Sequence, residues 1–173
     1  LPSGRIFNEV LSRDLKCPHE VPRARLKVFT DLLEKDRVVF SPVMPNPLKE
    51  PTIYLLKQYG DKLVIGAIAT DYIVERGTAI AFGKRGHAAI VDQTGSLLAH
   101  PLPAWRDSMK NIAKLAPVKK MLARETGSIV FFSPALKADM VAGYTFVPRT
   151  GWGVMIPQPF EELRDEAGRI RSQ

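Results

Sequence analysis

The sequence predicts an α+β fold: an antiparallel sheet with helices over one face, formed by a complete second module that follows a shortened first one. Three observations carry this expectation. From Gly83 onward, apolar runs of strand length alternate with turn residues. Most of these runs are joined by connections too short for a parallel crossover, which needs a dozen or more residues. One longer segment between them, Pro103 to Gly127, has helical spacing instead, so helices are expected to cover the sheet.

"HAAIVD" (His87 to Asp92) and "SLLAHP" (Ser96 to Pro101) flank the polar turn "QTG" and form a β-hairpin. Asp92 and Gly95 are turn residues, the carboxylate accepting turn N–H groups and the glycine taking positive φ. In "PAWRDSMKNIAKLAPVKKMLARETG", Ile112, Leu115, Val118, Met121 and Leu122 recur at helical spacing. Pro117 divides that stripe into a short first helix and a second beginning near Leu115, and Gly127 suits its stop. "GSIVFFSP" (Gly127 to Pro134), "DMVAGYTFVP" (Asp139 to Pro148) and "GWGVMIPQP" (Gly151 to Pro159) are three strands on short turns, and Trp152 is expected in the core. "FEELRDEAGRIRSQ" closes the chain as a helix with acids in its first turn.

The first half is sparser. Leu26, Phe29, Leu32 and Leu33 mark a helix within Arg23 to Asp36. "RVVFSPV", "PTIYLLKQYG" and "DKLVIGAIATDYIVE" follow as strands, the last bending into a helix near Asp71, with a hairpin turn at "YGD", Tyr59 to Asp61.

At 173 residues, with 45% hydrophobic and 25% charged residues, the chain is long enough to bury a core and too apolar for extended disorder. Its net charge of +7 is dispersed: runs such as "PVKK" are solvated helix faces, and no zinc spacing or aromatic-rich RNA-binding signature accompanies them. No nucleic-acid partner is expected, whereas a surface lying near anionic lipid headgroups accounts for the charge equally well. The single Cys17 makes no internal disulfide and is read as a small buried thiol. No G-x-S-x-G elbow, H-E-x-x-H pair or G-x-x-x-x-G-K-[ST] loop occurs, and three scattered histidines do not suggest a metal. Neither catalysis nor a cofactor is expected of the chain itself.

The second half resembles the Cache family of extracytoplasmic bacterial sensor domains. The matching positions are Gly86, Val91, Asp92, Gly95, His100 and Pro101 in the hairpin, then Ala142, Tyr144, Val147 and Pro148, then Gly151, Trp152, Val154, Gln158, Pro159 and Glu162. Val38 to Tyr72 is similar to the closing strands of the membrane-distal module in the two-module form, with "LPSGRIF" as its opening hairpin. The resemblance implies a PAS-like five-stranded antiparallel sheet with helices on one face, preceded by a partial PAS-like module. The corresponding partition is 1–80 for the distal module, 81–163 for the membrane-proximal module and 164–173 for a helix leading towards a membrane span. It also implies an extracytoplasmic domain on a histidine kinase, diguanylate cyclase or chemoreceptor, a homodimer in the full receptor, membrane attachment through flanking segments, and a small-molecule ligand: an organic acid, amino acid or amine.

Candidate ligand contacts follow. His100 ends a strand, and Pro101 and Pro103 stiffen the exit towards Trp105 and Arg106. An imidazole, an indole and a guanidinium converging there would form a pocket mouth, with Arg106 forked onto a carboxylate. The competing reading bonds His100 to local backbone and leaves Arg106 in solvent. Phe132, Ser133 and Asp139 flank the next hairpin and complete the pocket in the first reading. Tyr144 belongs either to the core or to the pocket wall. By resemblance, Asp71 matches an aspartate that holds a ligand amine in the distal module, with Tyr54 or Tyr59 lining the same pocket. Arg106 and the basic balance favour a carboxylate, and Asp71 favours an amine. An alternative to sensing is a ligand-free dimerisation module whose pocket is filled by its own side chains.

Overall fold

The computed structural model describes residues 21–82 and 86–171; "LPSGRIF" and Cys17 lie outside them. The chain divides into two compact units between Ile68 and Ala69. This division groups the helix that starts at Asp71 with the second unit.

In the first unit α1 spans Arg23–Leu32 and buries Leu26 and Phe29. It stops short of the expected Asp36 because Leu33 turns extended and returns its N–H to the Thr30 carbonyl. Phe29 meets Tyr54 of β3 (Pro51–Tyr59) with ring centroids 4.9 Å apart. The segment "RVVFSPV" is not one continuous strand. β1 (Val39–Phe40) and β2 (Met44–Pro45) both pair antiparallel with β3, in registers that differ by one residue. The ladder continues to Ser41, whose N–H donates to the Tyr54 carbonyl at 2.8 Å and whose Oγ accepts the Tyr54 N–H at 2.9 Å. The next residue, Pro42, has no N–H to donate, and the extra residue is absorbed there as a bulge. β4 (Lys62–Ala69) pairs with β3 across a turn at Gly60, which takes φ 60°.

The second unit starts with α2 (Asp71–Ala79), then a short ribbon of β5 (Ala81–Phe82) and β6 (Gly86–His87). Its sheet has five antiparallel strands in the order β8-β7-β11-β10-β9: β7 is Ala89–Val91, β8 Leu97–Ala99, β9 Gly127–Ser133, β10 Ala138–Phe146 and β11 Gly153–Pro159. Between β8 and β9 lie α3 (Pro103–Asp107) and α4 (Ala116–Leu122), each with a proline in its first turn, where the missing N–H costs nothing. Ile112 is buried as expected, but from an irregular linker, not from a helix. Met109 takes φ 51° and ends α3, and the linker then lies along β8, with Leu97 N–H donating to the Lys110 carbonyl and Ser96 bridging Asn111. α5 (Phe160–Arg171) begins at the residue after β11 ends.

Side-chain alternation decides the two faces of this sheet. Phe131, Met140, Ala142, Met155, Ala89, Val91 and Leu97 point inward and are closed over by Val118 and Met121 of α4. On the opposite face Gly77 of α2 sits so near Ala99 and Ile90 that a Cβ there would approach the Ala99 Cβ to 2.9 Å.

The hairpin that joins β7 to β8 is closed by Asp92, fully buried, whose Oδ1 accepts the N–H groups of Thr94 and Ser96 and the Thr94 hydroxyl. Gly95 holds φ 86°, and a Cβ there would lie 2.7 Å from the Ala113 Cβ and 2.9 Å from its Cα. Both backbone strain and a clash with main chain oppose a side chain at this position. Gly95→Ala is therefore expected to destabilise the second unit by about 1–3 kcal/mol, read as a lower urea midpoint at unchanged m-value.

Candidate functional site

The structure gathers His100, Trp105, Lys110 and His87 at the end of β8. His100 is 4% exposed, and its Nδ1 accepts the Leu102 N–H at 3.0 Å. That bond leaves the proton of the neutral ring on Nε2. The imidazole stacks on Trp105 (centroids 5.3 Å, interplanar 23°) and meets His87 edge-on at 5.4 Å. Lys110 Nζ lies 3.6 Å from the Trp105 ring centroid, a cation–π contact, and Lys110 N–H donates to the Trp105 carbonyl. Trp105 in turn packs against the buried core.

Pro101 and Pro103 shape this arrangement. The chain must leave the strand within two residues, and the His100 ring supplies the acceptor that the turn's Leu102 N–H needs. Thus His100 is bonded to local backbone and also stacked on Trp105. Arg106 does not join the stack: its Nε donates to Asp107 Oδ1 at 2.9 Å, and its side chain is 26% exposed.

The other candidates separate by strand parity. Ser133 is buried on the inner side, and its Oγ accepts the Leu136 N–H at 3.4 Å. Tyr144 packs against the core with its hydroxyl over Gly127, where a Cβ would lie 3.0 Å away. Phe132 and Asp139 are directly opposite each other on β9 and β10, but both are exposed on the outer face, away from His100. Their expected place in one pocket with His100 is thereby corrected: Phe131 and Met140, one residue away on each strand, are the ones that face inward. In the first unit Tyr54 is buried, its hydroxyl accepting Arg25 Nη1 at 2.7 Å. Tyr59 is 73% exposed at the end of β3, and Asp71 is exposed as the first residue of α2. Trp152 is half-buried beside the β10–β11 turn, where its backbone N–H donates to Thr150 Oγ1. No sequence spacing pointed to His87 or Arg25, which meet their partners through tertiary packing, or to Lys110, which the turn ending α3 folds back over Trp105. Among the described residues no group of three or more His, Cys, Asp or Glu side chains could hold a metal.

Burial, then the neighbouring His87 and Lys110, lower the His100 pKa from 6.5 to about 4. The unfolded chain takes up this proton near pH 6.5 and the folded chain only near pH 4, so the folded state is penalised as pH falls through that interval. Stability from this residue is complete above pH 6.5 and is expected to drop by up to about 3 kcal/mol towards pH 4. Urea unfolding of the wild type and of His100→Gln, which keeps an acceptor but does not titrate, is expected to show a flatter pH dependence in the variant.

No protein-family model matches the chain, and no curated protein matches it in sequence. Solved structures do match in fold. The periplasmic sensory domain of the Campylobacter jejuni chemoreceptor Tlp1 superposes with a TM-score of 0.66 at 13% identity, covering 80% of this chain and 56% of that one. The extracellular domain of a protein described as a histidine kinase, mmHK1S-Z3, gives 0.65 at 15% identity, covering 78% and 53%. The ligand-binding domain of the Pseudomonas aeruginosa amino acid chemoreceptor PctB, bound to L-arginine, gives 0.59 at 15%, covering 85% and 64%. The chain therefore spans between about half and two thirds of the length of these structures, and it shares their α+β fold.

Proposed function

We propose that this chain is the Cache-like, extracytoplasmic ligand-sensing part of a bacterial transmembrane receptor with a kinase, cyclase or chemotaxis output, and that it catalyses no reaction. The observation that carries this reading is the fold shared over most of the chain with sensory domains of chemoreceptors and histidine kinases. A second feature supports signal relay. β11 is the central strand of the five-stranded sheet, and α5 starts at the very next residue, so a shift of that strand reaches the helix with no slack linker to absorb it. Among the described residues no helix is long and apolar enough to cross a membrane, and the proposal therefore requires membrane spans in flanking sequence.

Within this reading the second unit takes its ligand, an organic acid, amino acid or amine, beside His100 and Trp105. Arg106 exchanges the exposed Asp107 for a ligand carboxylate, a charge-assisted contact that its planar fork suits. Ser133 and Tyr144, on the inner side of β9 and β10 and across the sheet from His100, are retained as separate candidates. Tyr54 in the first unit and Asp71 in the second are retained as separate candidates for an amine-bearing ligand.

The packed inner face favours a second reading. Met121, Met140, Ala142 and Val118 are fully buried there, so this unit also fits a ligand-free scaffold for dimerisation.

A thermal-shift screen of amino acids, organic acids and amines separates the two. A ligand present at a hundredfold over its Kd is expected to stabilise the chain by about 2.7 kcal/mol. Arg106→Ala, and in a second protein Trp105→Ala, are expected to abolish that shift; a shift retained in both variants removes the assigned site. The absence of any ligand shift across the screen decides for the scaffold.

A further inference from the structure

We infer that the outer edge of β9, unpaired among the described residues, is an interface through which a second copy of this chain extends the five-stranded sheet. This goes beyond the sensing proposal and does not depend on which ligand is bound. The two edges of the sheet differ. β8 is covered along its outer side by the linker after α3, through Leu97 N–H to the Lys110 carbonyl and the Ser96–Asn111 bridge. At the other end β9 is the terminal strand, and its outer edge makes no backbone hydrogen bond among the described residues.

The ladder shows which groups that edge presents. Val147 N–H donates to the Trp152 carbonyl in the β10–β11 register, so Thr145, Gly143, Val141 and Asp139 also turn their N–H and C=O towards β11. The alternate residues of β10 therefore bond to β9, through Ser133, Phe131, Ile129 and Gly127. The remaining β9 residues, Ser128, Val130 and Phe132, direct their N–H and C=O outward. The side chains of Val130 and Phe132 are 57% and 59% exposed.

Natural edges of this kind are guarded by charge, proline or a bulge. "GSIVFFS" has none of these: its seven residues are uncharged, without proline, and in continuous register with β10. Antiparallel pairing centred on Val130 sets Val130 against its own copy and Ser128 against Phe132 of the second copy. All three outward N–H and C=O pairs then find partners, and a register slipped by two residues leaves one pair on each copy unmatched. The arrangement is isologous, as a closed two-fold dimer requires. A chain of net charge +7 repels its copy, and this uncharged strand opposes no like charges directly across the junction. The edge is small beside the ~1,200–2,000 Å² of a stable interface. Association is therefore weak in free solution, strengthens with added salt as the repulsion is screened, and gains from the high effective concentration that tethering to one membrane supplies.

Sedimentation of the full 173-residue chain across a concentration series tests this. Dimer is expected to grow with concentration and with salt. Val130→Lys, at an exposed position, is expected to abolish it without lowering the melting temperature, whereas Val28→Lys on α1 leaves it intact. In a Cys17→Ser background, Val130→Cys is expected to form a covalent dimer on mild oxidation. Ser128→Cys is not, because its copy lies about 13 Å away along the strand. A dimer insensitive to Val130→Lys, or equal cross-linking at both positions, overturns the inference. So does a chain that stays monomeric with fast-exchanging amides at Ser128, Val130 and Phe132, which assigns the edge to a strand of another protein or to none.

Discussion

The contact on which the second unit depends is Met121 of α4 pressed onto the inner face of β10 and β11. Gly153 makes room for it: a Cβ there would stand 2.9 Å from both the Cβ and the Sδ of Met121. Met140 and Ala142 are fully buried in the same layer, with Phe131 and Met155 nearly so. α4 has only seven residues, too few to hold a helix in water by propensity. It is helical because the sheet buries one side of it, and the sheet has an inner face because α4 covers it.

From that layer the rest of the unit takes its place. The linker before α4 must reach across β8, which brings Lys110 over Trp105 and puts Ile112 into the core. Trp105 rests on the same core and provides the surface on which His100 stacks. The cost of this closeness is paid by the imidazole, which is held neutral because a charge would be desolvated beside His87 and Lys110. With the inner layer occupied by apolar side chains, polar chemistry in this unit is displaced to its margin, where His100, Trp105 and Arg106 lie. Meanwhile β11 is bonded on both sides and runs without interruption into α5.

Much of this was legible in the chain because local chemistry enforces it. Asp92 and Gly95 close their hairpin by hydrogen bonding and positive φ, both intrinsic to those residue types. Pro103 and Pro117 start helices where they stand, since proline is tolerated only in a first turn. The three C-terminal strands and the helix after Pro159 lie where apolar runs and turn residues set them. The first unit was less legible: α1 stops at Leu32 because Leu33 turns extended, and a bulge after Ser41 splits what reads as one strand into two.

What only the tertiary structure decided is which side chains share a face. Phe131 and Phe132 are adjacent and chemically identical, yet one is core and the other is exposed beside Asp139. A strand's alternation fixes that they differ, but which one points inward depends on where α4 lies, and that is a property of packing between distant segments. His87 meets His100 for the same reason: it comes from the β5–β6 ribbon and is brought there by the fold and not by spacing. The sequence by itself determined turns, helix starts and where most strands lie along the chain, because these rest on the conformational limits and patterning of local residues. The tertiary structure determined which of these residues face the core and which distant ones, such as His87 and His100, lie side by side, because side chains far apart in the chain meet only when a common core holds them.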